Sequence, residues 1–280
     1  MAAAWARHPD LGSVSFPEAR RIAEEVRAPW RRGGPVVAST EMTVAGVRVR
    51  RYGSGEPVLI YLHGGGWTLF SLDTHDRLMR EYAARAGVTV VGVDYALSPE
   101  AKYPVALEQV VAVAQSLGQS ATAMAIGGDS AGANLAIAAC MRQPQLFRAM
   151  VLNYGVFDRH SSDEARERFG GPGNMLTAEE MEGFWRNYLR DERDADDPLV
   201  CPLRGDLRGL PPALLVVPEC DLLAEQSLQL ADRLPASELR IYRGAVHSFL
   251  EAVSISSLAD RALEETSSWL RAAMSLSPRS

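Results

Sequence analysis

The chain has 280 residues, of which 47% are apolar or aromatic and 23% are Asp, Glu, Lys or Arg. That is material for a large buried core, which excludes a disordered chain and a small disulfide-stapled scaffold. With 29 basic against 35 acidic residues the formal net charge is −6, and an acidic chain without a basic block is a poor partner for nucleic acid or anionic lipid.

The opening residues, MAAAWARHPDLGSV, lack the continuous apolar stretch of a secretory signal, because Arg7, His8 and Asp10 interrupt it. Ser15-Phe16-Pro17-Glu18 reads as a capping-box start with a proline in the first turn, predicting an amphipathic helix to about Ala28. A strand pair is expected around Ala45-Gly46. From residue 57 on, short apolar runs alternate with helix-periodic stretches. The runs 58–62, 88–93, 121–127, 149–155, 213–217 and 238–242 are apolar nearly throughout, as strands buried on both faces should be. Helices are predicted at 74–86, 104–117, 131–142, 223–234 and about 257–273. This alternation implies an α/β fold: a mostly parallel central sheet with helices on both faces.

An insertion at about 157–208, rich in charge, Gly and Pro, departs from the rhythm. Inside it Thr177-Ala178-Glu179-Glu180 reads as a capping box opening a helix to about Arg190. The expectation is one domain over 1–280, with cap elements at about 1–35 and 157–208 lying over the strand ends. Trp5, Phe16, Trp30, Phe184 and Trp185 are candidates for the cavity wall, although core or lid packing is the expected role of each one individually. No apolar run approaches the roughly 18–20 residues of a membrane span. Cys140, Cys201 and Cys220 are too scattered for a disulfide framework or a Cys-x-x-Cys site. A soluble, cytoplasmic protein with reduced thiols follows as the expectation, with no membrane or nucleic-acid partner, as a monomer or homodimer.

The strongest local signal is Gly128-Asp129-Ser130-Ala131-Gly132, between a predicted strand and a predicted helix. A serine at the tip of so tight a turn needs small neighbours two residues either way. The following helix aims its N-terminal amides at the serine, which favours developing negative charge. The pattern makes Ser130 the candidate nucleophile. His63-Gly64-Gly65-Gly66 follows the strand at 58–62, and its glycines can turn backbone N–H groups inward. With the N–H of Ala131 they would receive the oxyanion of a tetrahedral intermediate. The spacing is wrong for a phosphate-binding loop, and His63 itself is expected to brace the loop.

A serine nucleophile needs a base, and the base an orienting acid. Of the five histidines, His247 lies on a short loop after the last predicted strand, where the order Ser, acid, His places the base. The acid should follow the strand at 213–217. Glu219, Asp221 and Glu225 are candidates there, and Asp221 is favoured because the turn is complete at that residue. Trp67, just past the glycines, is expected at the acyl side, and Asp129, beside the serine, at the substrate. Nothing resembles a His-Glu-x-x-His metal motif, so no metal is expected.

The motifs HGGGW (63–67), DYALSPE (94–100), YPVALEQ (103–109), GDSAG (128–132), ECDLL (219–223) and HSF (247–249) together resemble the hormone-sensitive-lipase-like esterases, and within them bacterial acetyl esterases. The likeness runs from about residue 57 to the C-terminus. It implies an α/β-hydrolase fold with a cap, no cofactor, and hydrolysis of short-acyl carboxylic esters. It also implies a triad of Ser130, Asp221 and His247, with Gly64, Gly65, Gly66 and Ala131 as the oxyanion loop and the second and third glycines as donors. Three positions depart from the family pattern: Leu222 stands for a proline, Ser248 for a glycine after the histidine, and Ala133 for a further glycine. Two other readings use the same scaffold: a deacetylase of an acetylated metabolite, and a non-catalytic small-molecule receptor like the gibberellin receptors of plants. The latter lose the histidine position, which is kept here.

Overall fold

The computed structural model describes residues 7–9 and 11–275; Trp5 lies outside them. Helix α1 (Phe16–Arg27) forms where predicted, burying Ala19, Ile22, Ala23, Val26 and Arg27 along one side. The Ser15 side chain makes no capping hydrogen bond, contrary to the capping-box reading. Instead α1 is held from its flank. Arg20 donates to the carbonyls of Thr68 and Ser98, and Ser71 donates to Glu24.

Strands β1 (Ser39–Val44) and β2 (Val47–Tyr52) form the expected hairpin. Then come β3 (Val58–Leu62), α2 (Asp76–Ala86), β4 (Thr89–Val93), α3 (Val105–Gly118), β5 (Met124–Asp129), α4 (Ala131–Arg142) and β6 (Ala149–Asn153). After the insertion, which holds α5 (Asp163–Phe169) and α6 (Ala178–Tyr188), the chain continues with β7 (Ala213–Cys220), α7 (Ala224–Arg233), β8 (Ser237–Val246) and α8 (Ser257–Ser275). The strands make one sheet in the order β1-β2-β4-β3-β5-β6-β7-β8. β2 pairs antiparallel with both β1 and β4, and every pairing from β4 to β8 is parallel.

Side chains alternate across this sheet, so each central strand feeds two cores. Ile60 and Leu62 of β3 join α3, α4 and the insertion on one face, whereas Leu59 and Tyr61 join α2 and α8 on the other. The parallel strands all end on one side of the molecule, where open α/β sheets gather their sites. The chain leaves β3 there at His63, β5 at Ser130, β7 at Asp221 and β8 at His247. No helix among the described residues is long and apolar enough to cross a membrane.

Candidate active site

Ser130 sits between the end of β5 and the start of α4 with φ +53° and ψ −119°, a left-handed conformation that costs a non-glycine residue free energy. The turn is closed by the Ser130 N–H, which donates to the Asn153 carbonyl at 2.9 Å. Gly132 is required by close approach, because a Cβ there would lie 2.0 Å from the Leu62 carbonyl oxygen. The bend thus presents the Ser130 hydroxyl at the strand ends, although the residue is only 7% exposed.

His247 arrives from the loop after β8. Its Nδ1 is 2.7 Å from Oδ2 of Asp221, and its Nε2 is 3.0 Å from Oγ of Ser130. A carboxylate only accepts, so Nδ1 carries the hydrogen, and the bare Nε2 accepts from the serine hydroxyl. Oδ1 of Asp221 accepts from the Leu223 N–H at 3.0 Å, which fixes the carboxylate. Burial disfavours a charged imidazole, yet the adjacent Asp221 carboxylate outweighs it and His247 titrates above the ordinary histidine range. Of the three candidate acids, then, Asp221 reaches the ring. Glu219 instead accepts from the Gly244 N–H, and Glu225 from the Ser162 N–H.

The glycine loop lies across from the serine. Gly66 takes φ +58°, and a Cβ there would meet the Phe184 ring at 2.2 Å, so neither backbone nor space admits a side chain. The Gly65 carbonyl is used by the Thr68 and Leu69 N–H groups. The N–H groups of Gly65, Gly66 and Ala131 meet no hydrogen-bond acceptor among the described residues. His63 braces this loop, as expected. It is buried, stacks on Tyr95 at 4.4 Å, and directs Nδ1 to the Gly64 carbonyl at 2.7 Å. Burial, with His75 nearby, holds His63 down to about 4, so the ring is neutral near pH 7.

A cavity of about 540 Å³ opens over Ser130 and His247, bounded by Gly65, Gly66, Phe16 and Phe184 among others. Phe16 and Phe184 meet the wall expectation. Trp185 is buried in the core instead, and Trp30 does not border the cavity. Two substrate-contact expectations are corrected by the structure. Trp67 is fully buried, stacked on Tyr188 at 4.2 Å beside Trp185, because the backbone turns it away from the cavity at φ +57°. Asp129 points beneath the bend, accepting from the Tyr61 hydroxyl at 2.9 Å and facing His75 Nε2 at 3.2 Å. Alternation along β5 sends consecutive side chains to opposite faces, which explains that outcome. Sequence reasoning missed His75 and Glu251, whose spacing to any motif carries no signal.

A family model described as alpha/beta hydrolase fold matches residues 59–251. The chain belongs to that family, and its motifs are those of the hormone-sensitive-lipase-like esterases. It is similar to the acetyl esterase of Salmonella schwarzengrund, with 37% identity over 239 residues that cover 79% of this chain and 74% of that protein. A thermophilic, thermostable carboxylesterase cloned from a metagenomic library, EstE1, superposes with a TM-score of 0.88 at 29% identity, covering 94% of this chain and 99% of that one. The hyperthermophilic esterase of Pyrobaculum calidifontis superposes with a TM-score of 0.86 at 29% identity, covering 92% and 94%.

Proposed function

We propose that the protein is a serine carboxylesterase that hydrolyses short-acyl esters of the acetyl kind through an acyl-enzyme. The coarse activity follows from its relatives: the chain is a carboxylic ester hydrolase. The finer reading is carried by one observation, the hydrogen-bonded line from Ser130 Oγ through His247 to Asp221. On this reading Ser130 Oγ attacks the ester carbonyl while His247 Nε2 takes its proton. Asp221 holds the tautomer and stabilises the imidazolium. The N–H groups of Gly65, Gly66 and Ala131 receive the oxyanion, an interaction worth about 3–4 kcal/mol per donor. The imidazolium returns its proton to the leaving alcohol. Water, activated by the same ring, then hydrolyses the acyl-serine.

The segments at about 1–35 and 157–208 act in this reading as a cap on one domain, lending Phe16 and Phe184 to the cavity wall. Cytoplasmic residence is the companion proposal, since Cys140, Cys201 and Cys220 are all unpaired.

Two expected results test the reading. Across p-nitrophenyl esters from acetate to laurate, kcat/KM should peak at about two to six acyl carbons; a maximum at ten or more would refute the short-acyl claim. The pH profile supplies the second. A base must be neutral to accept the serine proton, so kcat/KM should fall as pH drops through the His247 titration. Because the folded ring titrates high, the midpoint of that acid limb should lie above the ordinary value of about 6.5. A midpoint below it would contradict the Asp221–His247 pairing.

A further inference from the structure

Beneath the bend that carries Ser130 runs a second line of buried charge. Arg27, the last residue of α1, is 3% exposed. Its Nη1 lies 2.5 Å from Oε2 of Glu251, in the turn Phe249–Ala252 just after His247. Oε1 of Glu251 is 4.0 Å from His75 Nε2, which is itself 3.2 Å from Asp129 Oδ2. Asp129 precedes Ser130 in the chain.

The protonation of His75 can be read from its partners. The Thr74 hydroxyl donates its only hydrogen to the Ser71 carbonyl at 2.8 Å, so the 2.8 Å contact with His75 Nδ1 needs a hydrogen on that nitrogen. Nε2 faces two carboxylates and therefore carries one as well. Burial opposes this charge, but Asp129 and Glu251 override it, and His75 titrates above the ordinary range. The sequence of charges is then plus, minus, plus, minus, contributed by four separate places in the fold. A buried charge that loses its neighbour is left without solvent or counterion, so each member holds the next in place.

We infer that the line Arg27–Glu251–His75–Asp129 ties α1 and the His247 loop to the nucleophile bend, making Arg27 and Glu251 positioning residues for the catalytic histidine. The inference rests on the esterase reading above. Side-chain oxygens and nitrogen of His75, Asp129 and Glu251 lie within 4.8 Å of one another, as a cation site would require. Here, however, Arg27 already meets Glu251, and the Tyr61 hydroxyl meets Asp129. Arg27 supplies beside Glu251 the positive charge that a cation would otherwise bring. The groups facing His247 from the elements around it are Asp221, Ser130, Tyr154, Asp129 and Glu251. Glu251 thus favours the imidazolium in addition to Asp221.

The test is the pH dependence of kcat/KM for p-nitrophenyl acetate, measured on the full chain with fluorophosphonate labelling as a check on the site. In R27Q/E251Q one positive and one negative charge are lost, and the two amides can hydrogen-bond to each other, so folding is retained. The acid limb should move to lower pH, because Glu251 no longer favours the imidazolium, and plateau kcat should fall several-fold. Arg27→Lys keeps the charge against Glu251 and should keep the acid limb at its wild-type position. A folded, labelled R27Q/E251Q protein with a wild-type limb and plateau overturns the inference. So does wild-type activity that EDTA abolishes and zinc restores, which would make the three side chains metal ligands. A wild-type protein that neither hydrolyses the ester nor takes the label removes the esterase reading itself, a result distinct from an active enzyme with unmoved profiles.

Discussion

Replacing Ser130 by alanine should leave a folded protein that hydrolyses p-nitrophenyl acetate about four to six orders of magnitude more slowly. The serine hydroxyl contributes one hydrogen bond, to His247 Nε2 at 3.0 Å, and losing a single such bond costs stability only about 1 kcal/mol. The bend itself does not depend on the hydroxyl. It is closed by the Ser130 N–H on the Asn153 carbonyl and by the approach of Gly132 to the Leu62 carbonyl, both of which the variant retains. Melting temperature should therefore stay within a few degrees of wild type while fluorophosphonate labelling disappears. Unchanged turnover in a folded S130A protein would exclude a Ser130 acyl-enzyme.

The second large effect is expected at Asp221. Asp221→Asn preserves shape but offers the ring an amide that can turn its N–H₂ toward Nδ1. That favours the imidazole form with its hydrogen on Nε2, where it can no longer accept from Ser130. A loss in kcat of about 10⁴-fold is the expected result. Glu219→Gln, two residues earlier at the end of β7, is the control. Its carboxylate serves the Gly244 N–H at 2.9 Å and not the histidine, so its turnover should stay within a few-fold of wild type. Equal losses in D221N and E219Q would remove Asp221 from its assigned role.

The parts of this molecule legible in its sequence are those whose cause is local. Strand β3 is five consecutive buried residues and could be read from apolarity alone. Thr177 and Glu180 form the full capping box that their spacing announces. Ser130 is marked by a turn that tolerates few sequences, and His247 by its place after the last strand. Asp221 needed the family likeness to separate it from Glu219, because the two stand two residues apart where β7 ends and only the ring's position decides between them. Other features depend on what lies across the fold. Strand β1 is exposed at five of its six positions and is legible only through the Ala45-Gly46 turn that pairs it with β2. Helix α5 is too short at seven residues to show a period. The meeting of Arg27 with Glu251 joins residues 224 positions apart by sequence number, and no spacing rule reaches that far.

The Phe184 ring rests where any side chain on Gly66 would have to go, and Phe16, at the start of α1, faces the same hollow. Both belong to stretches outside the alternating strand-and-helix scaffold that carries Ser130, Asp221 and His247. Part of the cavity wall is thus separate from the frame that holds the three polar side chains, so replacing Phe16 or Phe184 by alanine should widen the hollow while the Ser130–His247 and His247–Asp221 distances persist.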